Sequence, residues 1–368
     1  MHPNFSSISF EKPQTMRSQI ADRMRELLGS GKLSPGEKIP STSALAKTWS
    51  TDVCTVHAAL TTLQKEGLLA RYPGKGTFVQ KREERLTKVG IYYDHHTFGN
   101  GKSLFLQSLN MALKTELDIR GIEMDTWIDP RPTEQTGAPW APFAKAAENR
   151  SFQALIVPGT NRELLRWQTR LPVPTAFLTG EAGIPNRVNT DEKQFIDIGL
   201  RALSEQGCRS VGMIAPWATC EPYNRFFSHF TDVSRALGLT VKNEWMRLAP
   251  DPGAMHRPGQ AYDYFGYQEF LALWSYPDRP EGLIVLDDVV ARGVIAALLE
   301  KSVPVPRELK LVLQKNEAIN YLCPMPVTFA VGSEREIARA LVDQVEKQFR
   351  GESCEPISLP FKLVAHNY

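Results

Sequence analysis

From Val89 to the end of the chain, short apolar runs of strand length alternate with longer segments in which apolar residues recur every three to four positions. The short runs are typical of buried β-strands and the longer segments of amphipathic helices. The candidate strands lie at 89–93, 154–157, 175–178, 211–215, 283–286 and 309–313. This alternation predicts an α/β fold in which helices cover both faces of parallel sheets.

The loops that follow the candidate strands are the first places to look for function. Open α/β sheets bind ligands at the carboxyl ends of their strands. The loop at 94–101, the loop at 217–225 and the pair Asp287–Asp288 each follow such a strand. We therefore expect functional residues in these three segments.

The first eighty residues have a different pattern. Three helical segments and a hairpin are predicted, at 15–30, 41–50, 52–67 and 68–80. Ser41 and Asp52 are the predicted caps of the second and third helices, and the basic turn 73–76 forms the hairpin tip. Three helices and a hairpin within about seventy residues are the layout of a winged helix-turn-helix.

Charge is unevenly distributed along the chain. Residues 10–82 hold 12 Lys and Arg against 6 Asp and Glu, a net charge of +6, whereas the rest holds 31 against 35, a net charge of −4. A basic small domain joined to a mildly acidic large one is expected of nucleic-acid binding at one end. The charged run 81–88 predicts a solvated linker, with an extension that contacts DNA as the alternative.

Several classes of protein are excluded. The sequence has no signal-peptide pattern and no apolar run of bilayer-spanning length, so we expect a cytoplasmic protein without membrane contact. Five widely spaced cysteines without a CxxC pair argue against disulfides and thiolate metal sites. The run Asp94-His95-His96 contains metal-ligand types, but the further ligand clusters of such a site are missing. No metal or cofactor is therefore expected.

Residues 20–79 resemble the GntR family of winged-helix regulators. The matching strings, in the family's order, are SGKLSPGEKIPS, ALAKTWSTDVCTVHAALTTLQKEGLL and ARYPGKGTFV. The resemblance implies a DNA-binding domain whose third helix reads base edges while its wing approaches phosphates. Gly74 and Gly76 would let the wing turn tightly beside a phosphate, and Lys75 would supply charge.

The recognition helix departs from that family. The segment 52–57 replaces a common Ser-Arg-Thr-Thr-Val-Arg run, so two arginines that often touch DNA are missing. Base reading is expected to fall to shorter groups, helped by the wing, while Asp52 acts as a cap. The DNA-binding candidates are Ser41, Ser43, Thr55, His57, Thr61, Arg71, Gly74, Lys75 and Gly76.

Residues 87–368 resemble the effector domain of the LacI family, a periplasmic-binding-protein-like fold of two lobes around a cleft. The matching strings are RVNTDEKQFIDIGLRALSEQGCRSVGMI, FTDVSRALGL, RPEGLIVLDDVVARGVIAALLEKSVPVPREL and ISLPFKLVAHNY. The resemblance implies one lobe at 87–188 with 315–350 and another at 189–314 with the tail. It also implies a DNA-binding domain at 10–80, a linker at 81–86 and an effector-binding and dimerisation domain at 87–368.

The same resemblance suggests effector contacts. Asp288 lies where the family has an aspartate facing the cleft, with capping of the following helix as the alternative. Arg225 lies one position before the family's arginine, a site that Phe226 occupies. Tyr264 lies where an aromatic ring often stacks on ligand, and 314–317 replaces a usual Gly-Phe-Asp-Asp. The effector candidates are Asp288, Arg225, Tyr264, Asp94, His95 and Asn316.

Together these features predict a sequence-specific transcription regulator and not an enzyme. It would be a repressor that binds a near-palindromic double-stranded DNA operator as a homodimer. A small polar effector, a sugar or sugar derivative, would close the lobes and so alter operator affinity. The alternatives are a winged helix fused to an aminotransferase-like enzyme domain, a solute-binding protein, and a DNA binder whose effector domain no longer senses.

Overall fold

A winged helix occupies the N-terminal part of the described chain. The computed structural model describes residues 15–29, 33–80, 85–93, 104–131, 139–158, 162–171, 173–181, 183–218, 224–249 and 262–366. The winged helix contains α1 (Met16–Gly29), β1 (Lys38–Ile39), α2 (Thr42–Thr48), α3 (Val53–Lys65), β2 (Leu69–Tyr72) and β3 (Gly76–Val79). β3 pairs antiparallel with both other strands. The predicted order of three helices and a hairpin is confirmed, although the second helix ends two residues early.

Side-chain caps and one apolar stripe determine how these helices lie. Ser41 Oγ accepts a hydrogen bond from the Ala44 N–H at 3.2 Å, and Asp52 Oδ1 accepts one from the Thr55 N–H at 2.7 Å. Both predicted caps are therefore confirmed. One side of α3 is buried against the core and consists of Val56, Ala59, Leu60 and Leu63. The other side of α3, which carries its polar residues, faces away from this core.

The rest of the described chain alternates strands and helices. The strands are β4 (Lys88–Tyr93), β5 (Glu123–Ile128), β6 (Ala154–Val157), β7 (Thr175–Leu178), β8 (Arg187–Thr190), β9 (Val211–Ala218), β10 (Met246–Ala249), β11 (Gly282–Val285), β12 (Lys310–Asn316), β13 (Val327–Gly332), β14 (Ile357–Leu359) and β15 (Lys362–His366). The helices are α4 (Leu104–Ile119), α5 (Ala141–Glu148), α6 (Arg162–Gln168), α7 (Glu192–Glu205), α8 (Asn224–Ala236), α9 (Tyr262–Trp274), α10 (Asp288–Glu300) and α11 (Glu334–Arg350). All six predicted strands are present. Within the described ranges, no helix has the length and apolar character needed to cross a bilayer.

These strands form two six-stranded sheets. The first sheet has the order β14-β8-β7-β6-β4-β5 and is parallel throughout. The second has the order β10-β9-β11-β12-β13-β15 and is parallel except for β15. Helices α4 and α11 cover one face of the first sheet and α5 and α6 the other, while α9 and α10 face α7 and α8 across the second. The predicted α/β fold is confirmed.

Each sheet with its helices forms one lobe, and the chain crosses between the lobes three times. The first lobe holds the described elements from β4 to β8 together with α11 and β14, and the second holds those from α7 to β13 together with β15. The expected assignment of 315–350 to the first lobe was wrong for 315–332, because β12 and β13 complete the second sheet. The tail is divided as well, since β14 pairs with β8 of the first sheet.

Candidate nucleic-acid interface and effector site

The polar side of α3 presents three predicted reading residues. His57 is exposed, while Thr55 and Thr61 are half-buried. The Thr61 hydroxyl donates to the His57 carbonyl at 2.7 Å, a bond within the helix. His57 is therefore the most accessible of these three side chains.

Asp52 is committed to the start of α3. Besides the Thr55 N–H, it accepts the Thr55 hydroxyl on Oδ2 at 2.5 Å. The hydrogen bond from this hydroxyl holds the pKa of Asp52 below its ordinary value. Since the hydroxyl proton of Thr55 is used here, Thr55 keeps only acceptor capacity and a methyl group for a DNA base.

Arg71 links α2 to α3. Its Nη1 donates to Thr61 Oγ1 at 3.3 Å, and its Nη2 donates to Thr42 Oγ1 at 3.1 Å. The structure thus gives Arg71 a positioning role that sequence spacing did not indicate, because its partners come from two other elements. Ser41 and Ser43, the predicted contacts of α2, lie exposed on either side of Thr42.

The tip of the wing is a tight basic turn. Gly74 has φ +72° and Gly76 has φ +115°, and residues other than glycine rarely adopt such backbone angles. Lys75 between them is exposed, and its N–H donates to the Tyr72 carbonyl at 3.0 Å. Lys38 of β1 lies against Gly76, where a Cβ would crowd the lysine side chain. Lys38, which no sequence pattern indicated, reaches this surface through the pairing of β1 with β3.

Asp288 and Asn316 meet at the carboxyl end of the second sheet. Asp288 follows β11, next to the point between β9 and β11 where the strand order reverses, which is where open α/β sheets bind ligands. It is 3% exposed, and its Oδ1 accepts a hydrogen bond from Asn316 Nδ2 at 2.9 Å. Its Oδ2 is buried and has no partner among the described residues. The structure therefore brings two predicted effector residues together around one unused acceptor.

Asp287, and not Asp288, caps α10. Oδ1 of Asp287 accepts from the Val289 N–H at 2.8 Å and from the Val290 N–H at 3.1 Å. The alternative reading of Asp288 as the cap was therefore wrong. Asp287 has φ +73°, and its N–H donates to Gln314 Oε1 at 3.0 Å. A backbone in such a sparsely populated region costs about 1 to 3 kcal/mol, and strain of this kind clusters at functional sites.

Burial and two neighbouring charges set the pKa of Asp288. Burial raises the pKa of Asp288 to about 6, the negative charge of Asp287 adds to this, and the positive charge of Arg292 opposes it. Arg292 lies one turn further along α10, and its Nε is buried without a partner among the described residues. The neighbourhood therefore offers a ligand both an acceptor and a donor.

Arg225 spans the two lobes. It lies in the first turn of α8 in the second lobe, and its Nη2 donates at 3.5 Å to the carbonyl of Gly180, just beyond β7 in the first lobe. Burial raises the pKa of Glu192, and the charge of Arg225 opposes that rise. Asp94 and His95, predicted for the facing loop of the first lobe, lie outside the described residues.

Tyr264 lies away from Asp288 and Asn316. It is 54% exposed and stacks on Tyr267 with ring centroids 6.4 Å apart. The Tyr267 hydroxyl bonds to Glu300 at the far end of α10. Since an α-helix rises about 1.5 Å per residue, Asp288 and Glu300 lie roughly 18 Å apart along α10.

Two further buried carboxylates were missed. Glu334 follows β13, is 1% exposed, and has no partner for Oε1 among the described residues. Asp129 follows β5 and accepts the Tyr92 hydroxyl at 2.8 Å and Arg131 Nε at 2.9 Å. Neither strand had been predicted, so no pattern drew attention to a carboxylate at its end. In the part of the chain that the structure describes, no group of three or more His, Cys, Asp or Glu is arranged to hold a metal ion.

Comparison with known proteins matches both parts of the chain. Residues 16–79 match the profile of bacterial regulatory proteins, gntR family, and residues 200–365 match a periplasmic binding protein-like domain. The mannosyl-D-glycerate transport/metabolism system repressor MngR of Escherichia coli is 41% identical over 68 residues, 18% of this chain and 28% of MngR. The HTH-type transcriptional repressor NagR of Bacillus subtilis is 35% identical over 85 residues, 23% of this chain and 35% of NagR. Another B. subtilis repressor of that type, YtrA, is 35% identical over 113 residues, 30% of this chain and 78% of YtrA.

Solved structures match the two-lobed part. A LacI family transcription regulator from Clostridium acetobutylicum superposes with a TM-score of 0.61 at 16% identity, covering 76% of this chain and all of that chain. The E. coli transcriptional repressor ascG gives a TM-score of 0.58 at 14% identity, covering 76% of this chain and 97% of that chain. At such identities the likeness concerns the fold, and it confirms the two-lobed periplasmic-binding-protein-like architecture.

Proposed function

The chain belongs to the gntR family of bacterial regulatory proteins and joins that family's winged helix to a periplasmic-binding-protein-like domain; from this premise we propose that it represses transcription under the control of a small polar effector. The proposed division is a DNA-binding domain at 10–80, a linker at 81–86 and an effector-binding and dimerisation domain at 87–368. The protein would act in the cytoplasm. Relatives named as repressors, such as MngR and YtrA, favour repression as the direction of control.

Operator binding is assigned to α3 and the wing. His57 is accessible on the polar side of α3 and suits a base edge in the major groove. Lys75 and Lys38 give the wing a positive surface that suits phosphates. One such helix reads too few base pairs to be selective in a genome, which favours two copies on a near-palindromic site.

A second copy of this chain is the proposed occupant of the outer face of α4. Leu104, Met111 and Ile119 lie seven and eight residues apart and are 40%, 66% and 76% exposed. Residues at this spacing lie on one side of a helix. A twofold contact would pack this stripe against the same stripe of the second copy, so the three apolar side chains would be buried in both subunits.

The unpaired oxygen of Asp288 is the observation that supports effector binding. A buried carboxylate can accept hydrogen bonds from vicinal hydroxyl groups, and bonds to a charged acceptor are stronger than neutral ones. Asn316 already holds the other oxygen, so Oδ2 is oriented before ligand arrives. These features favour a sugar or sugar derivative. An aminotransferase-like enzyme is disfavoured because the large domain has a LacI-type fold.

Two measurements test the proposal. Selection from a random duplex library with the full chain should enrich a near-palindromic motif. Thermal-shift screening of neutral sugars, amino sugars and sugar phosphates should find one that stabilises the wild type, by about 2.7 kcal/mol at 100 times its Kd, and stabilises Asp288→Asn less. Absence of a motif would contradict the regulator, whereas a motif without any sugar response would favour a DNA binder that no longer senses.

A further inference from the structure

One turn of the first lobe contacts both the winged helix and the segment by which the chain enters the first lobe. This turn runs from Arg150 to Gln153, between α5 and β6. Arg150 Nη2 donates a hydrogen bond of 2.5 Å to the carbonyl of Lys65, the last residue of α3. Gln153 bonds to Arg85, at the described end of the joining segment, and to Thr87 and Lys88, where β4 begins. The recognition helix and the joining segment are therefore attached to the same turn.

Arg150 completes the C-terminus of α3. The last four carbonyls of an α-helix have no partner within the helix. The three before Lys65 accept hydrogen bonds from the chain just beyond the helix, from Glu66, Gly67 and Leu68. The Lys65 carbonyl accepts its bond from Arg150 instead. A guanidinium at this position also suits the partial negative charge of a helix C-terminus.

Gly67 and Arg150 fit each other closely. Both have left-handed backbones, with φ +70° at Gly67 and φ +54° at Arg150. The guanidinium lies against Gly67, and a Cβ on this glycine would overlap its atoms. Arg150 follows α5 at a position where a left-handed glycine is usual, so its backbone is strained. The contact thus depends on a missing side chain in one domain and a particular side chain in the other.

Gln153 fixes the joining segment. Its Oε1 accepts the N–H groups of Thr87 at 2.6 Å and Lys88 at 2.9 Å. Its Nε2 donates to the Arg85 carbonyl at 3.2 Å. The turn continues directly into β6, which is buried along its whole length and lies beside the strand-order reversal of the first sheet. The carboxyl end of β6 therefore borders the cleft, while its amino end carries both attachments.

We propose that the turn 150–153 couples the first lobe to DNA recognition, with Arg150 as a positioning residue for α3. The inference rests on the proposed function. When the lobes rotate relative to each other, α3 moves with the first lobe, because its C-terminus and the joining segment are held by one turn. The effector state of the cleft is thereby passed to the orientation of the recognition helix.

Hydrogen–deuterium exchange in the full chain tests this contact without DNA. A hydrogen bond to a charged group contributes about 1.5 kcal/mol or more, so Arg150→Ala should raise exchange in peptides covering 61–70 by about tenfold. Arg150→Lys, which keeps a charged donor, should restore part of the protection. Arg170→Ala, which removes an exposed arginine after α6, is the matched control and should exchange like the wild type.

Operator binding by the same variants completes the test. Arg150→Ala should weaken binding to the selected operator about tenfold, and Arg170→Ala should leave it unchanged. Unchanged exchange at 61–70, unchanged operator affinity, or an exchange increase spread evenly over the first lobe would each overturn the proposal. A wild-type chain that selects no operator would instead contradict the proposed function and the role of Arg150 in recognition, and exchange alone would then decide whether the contact exists.

Discussion

The side-chain amide of Asn316 donates a 2.9 Å hydrogen bond to one oxygen of Asp288 and leaves the other oxygen of this buried carboxylate unpaired. Asp288 follows β11 and Asn316 ends β12, and these two strands are adjacent and parallel. A buried acceptor without a partner costs about 1 to 3 kcal/mol. A ligand that donates to Oδ2 removes this cost, so we expect this oxygen to contribute strongly to effector binding.

Asp288→Asn should weaken effector binding about 10- to 100-fold, since a hydrogen bond to a charged group contributes about 1.5 to 3 kcal/mol. Because Asp287 caps α10, the helix should begin normally and operator binding without effector should persist. Calorimetric titration of the sugar found by screening measures the effect. Asp191→Asn, which alters the cap of α7, is the control and should keep wild-type affinity. Equal losses in both variants would remove Asp288 from the site.

Effector affinity should fall as the pH drops through about 6. The pKa of Asp288 is raised to about 6, chiefly by burial, and protonation removes the charged acceptor. Stability without effector should change in the opposite sense. The folded chain holds this proton more tightly than the unfolded chain, so the contribution of Asp288 to stability is present at low pH and is lost as the pH rises through 6.

Titrations and thermal unfolding between pH 5 and pH 8 measure both trends, in the range where Asp288 changes charge. Asp288→Asn should flatten both curves, because it removes the titrating group. An affinity that instead rises towards low pH would mean that the effector binds the protonated carboxyl.

Two strands that are buried at every position were predicted from the sequence. β6 and β11 are buried at every position and read as continuous apolar runs. β5, β8 and β10 were not predicted because each has only one buried residue or none. β5 and β10 are also edge strands. Their sequences therefore lack the apolar run on which the prediction depended.

The helix caps and the position of Asp288 at the end of a strand follow from local sequence. The caps of α2 and α3 follow from side chains next to a helix start, and Asp288 follows from the end of a recognisable strand. The roles of Arg71 and Arg150 depend on partners 29 and 85 residues away. Spacing along the chain carries no information about such contacts.

Met111→Lys should shift the chain from dimer to monomer. Met111 is 66% exposed in the middle of the apolar stripe on α4, and a twofold contact would bury two introduced charges. The dimer dissociation constant should rise at least about tenfold, as sedimentation measures, because losing 1.4 kcal/mol has this effect. Leu322→Lys is the control, since Leu322 is 77% exposed in the second lobe. Dissociation by Leu322→Lys alone would place the interface elsewhere.

Lys75→Ala and His57→Ala should affect DNA binding in different ways. Lys75 is exposed at the wing tip, so its loss should weaken operator and random duplex by the same factor and reduce the salt slope by about one. His57→Ala should alter preference among operator variants by about 1 to 3 kcal/mol at one base pair. Fluorescence anisotropy at several salt concentrations separates the two effects, and the exposed Lys193 of α7 supplies a control, Lys193→Ala, expected to behave as the wild type. If His57→Ala lost affinity equally for operator and random DNA, base reading would have to come from residues other than His57.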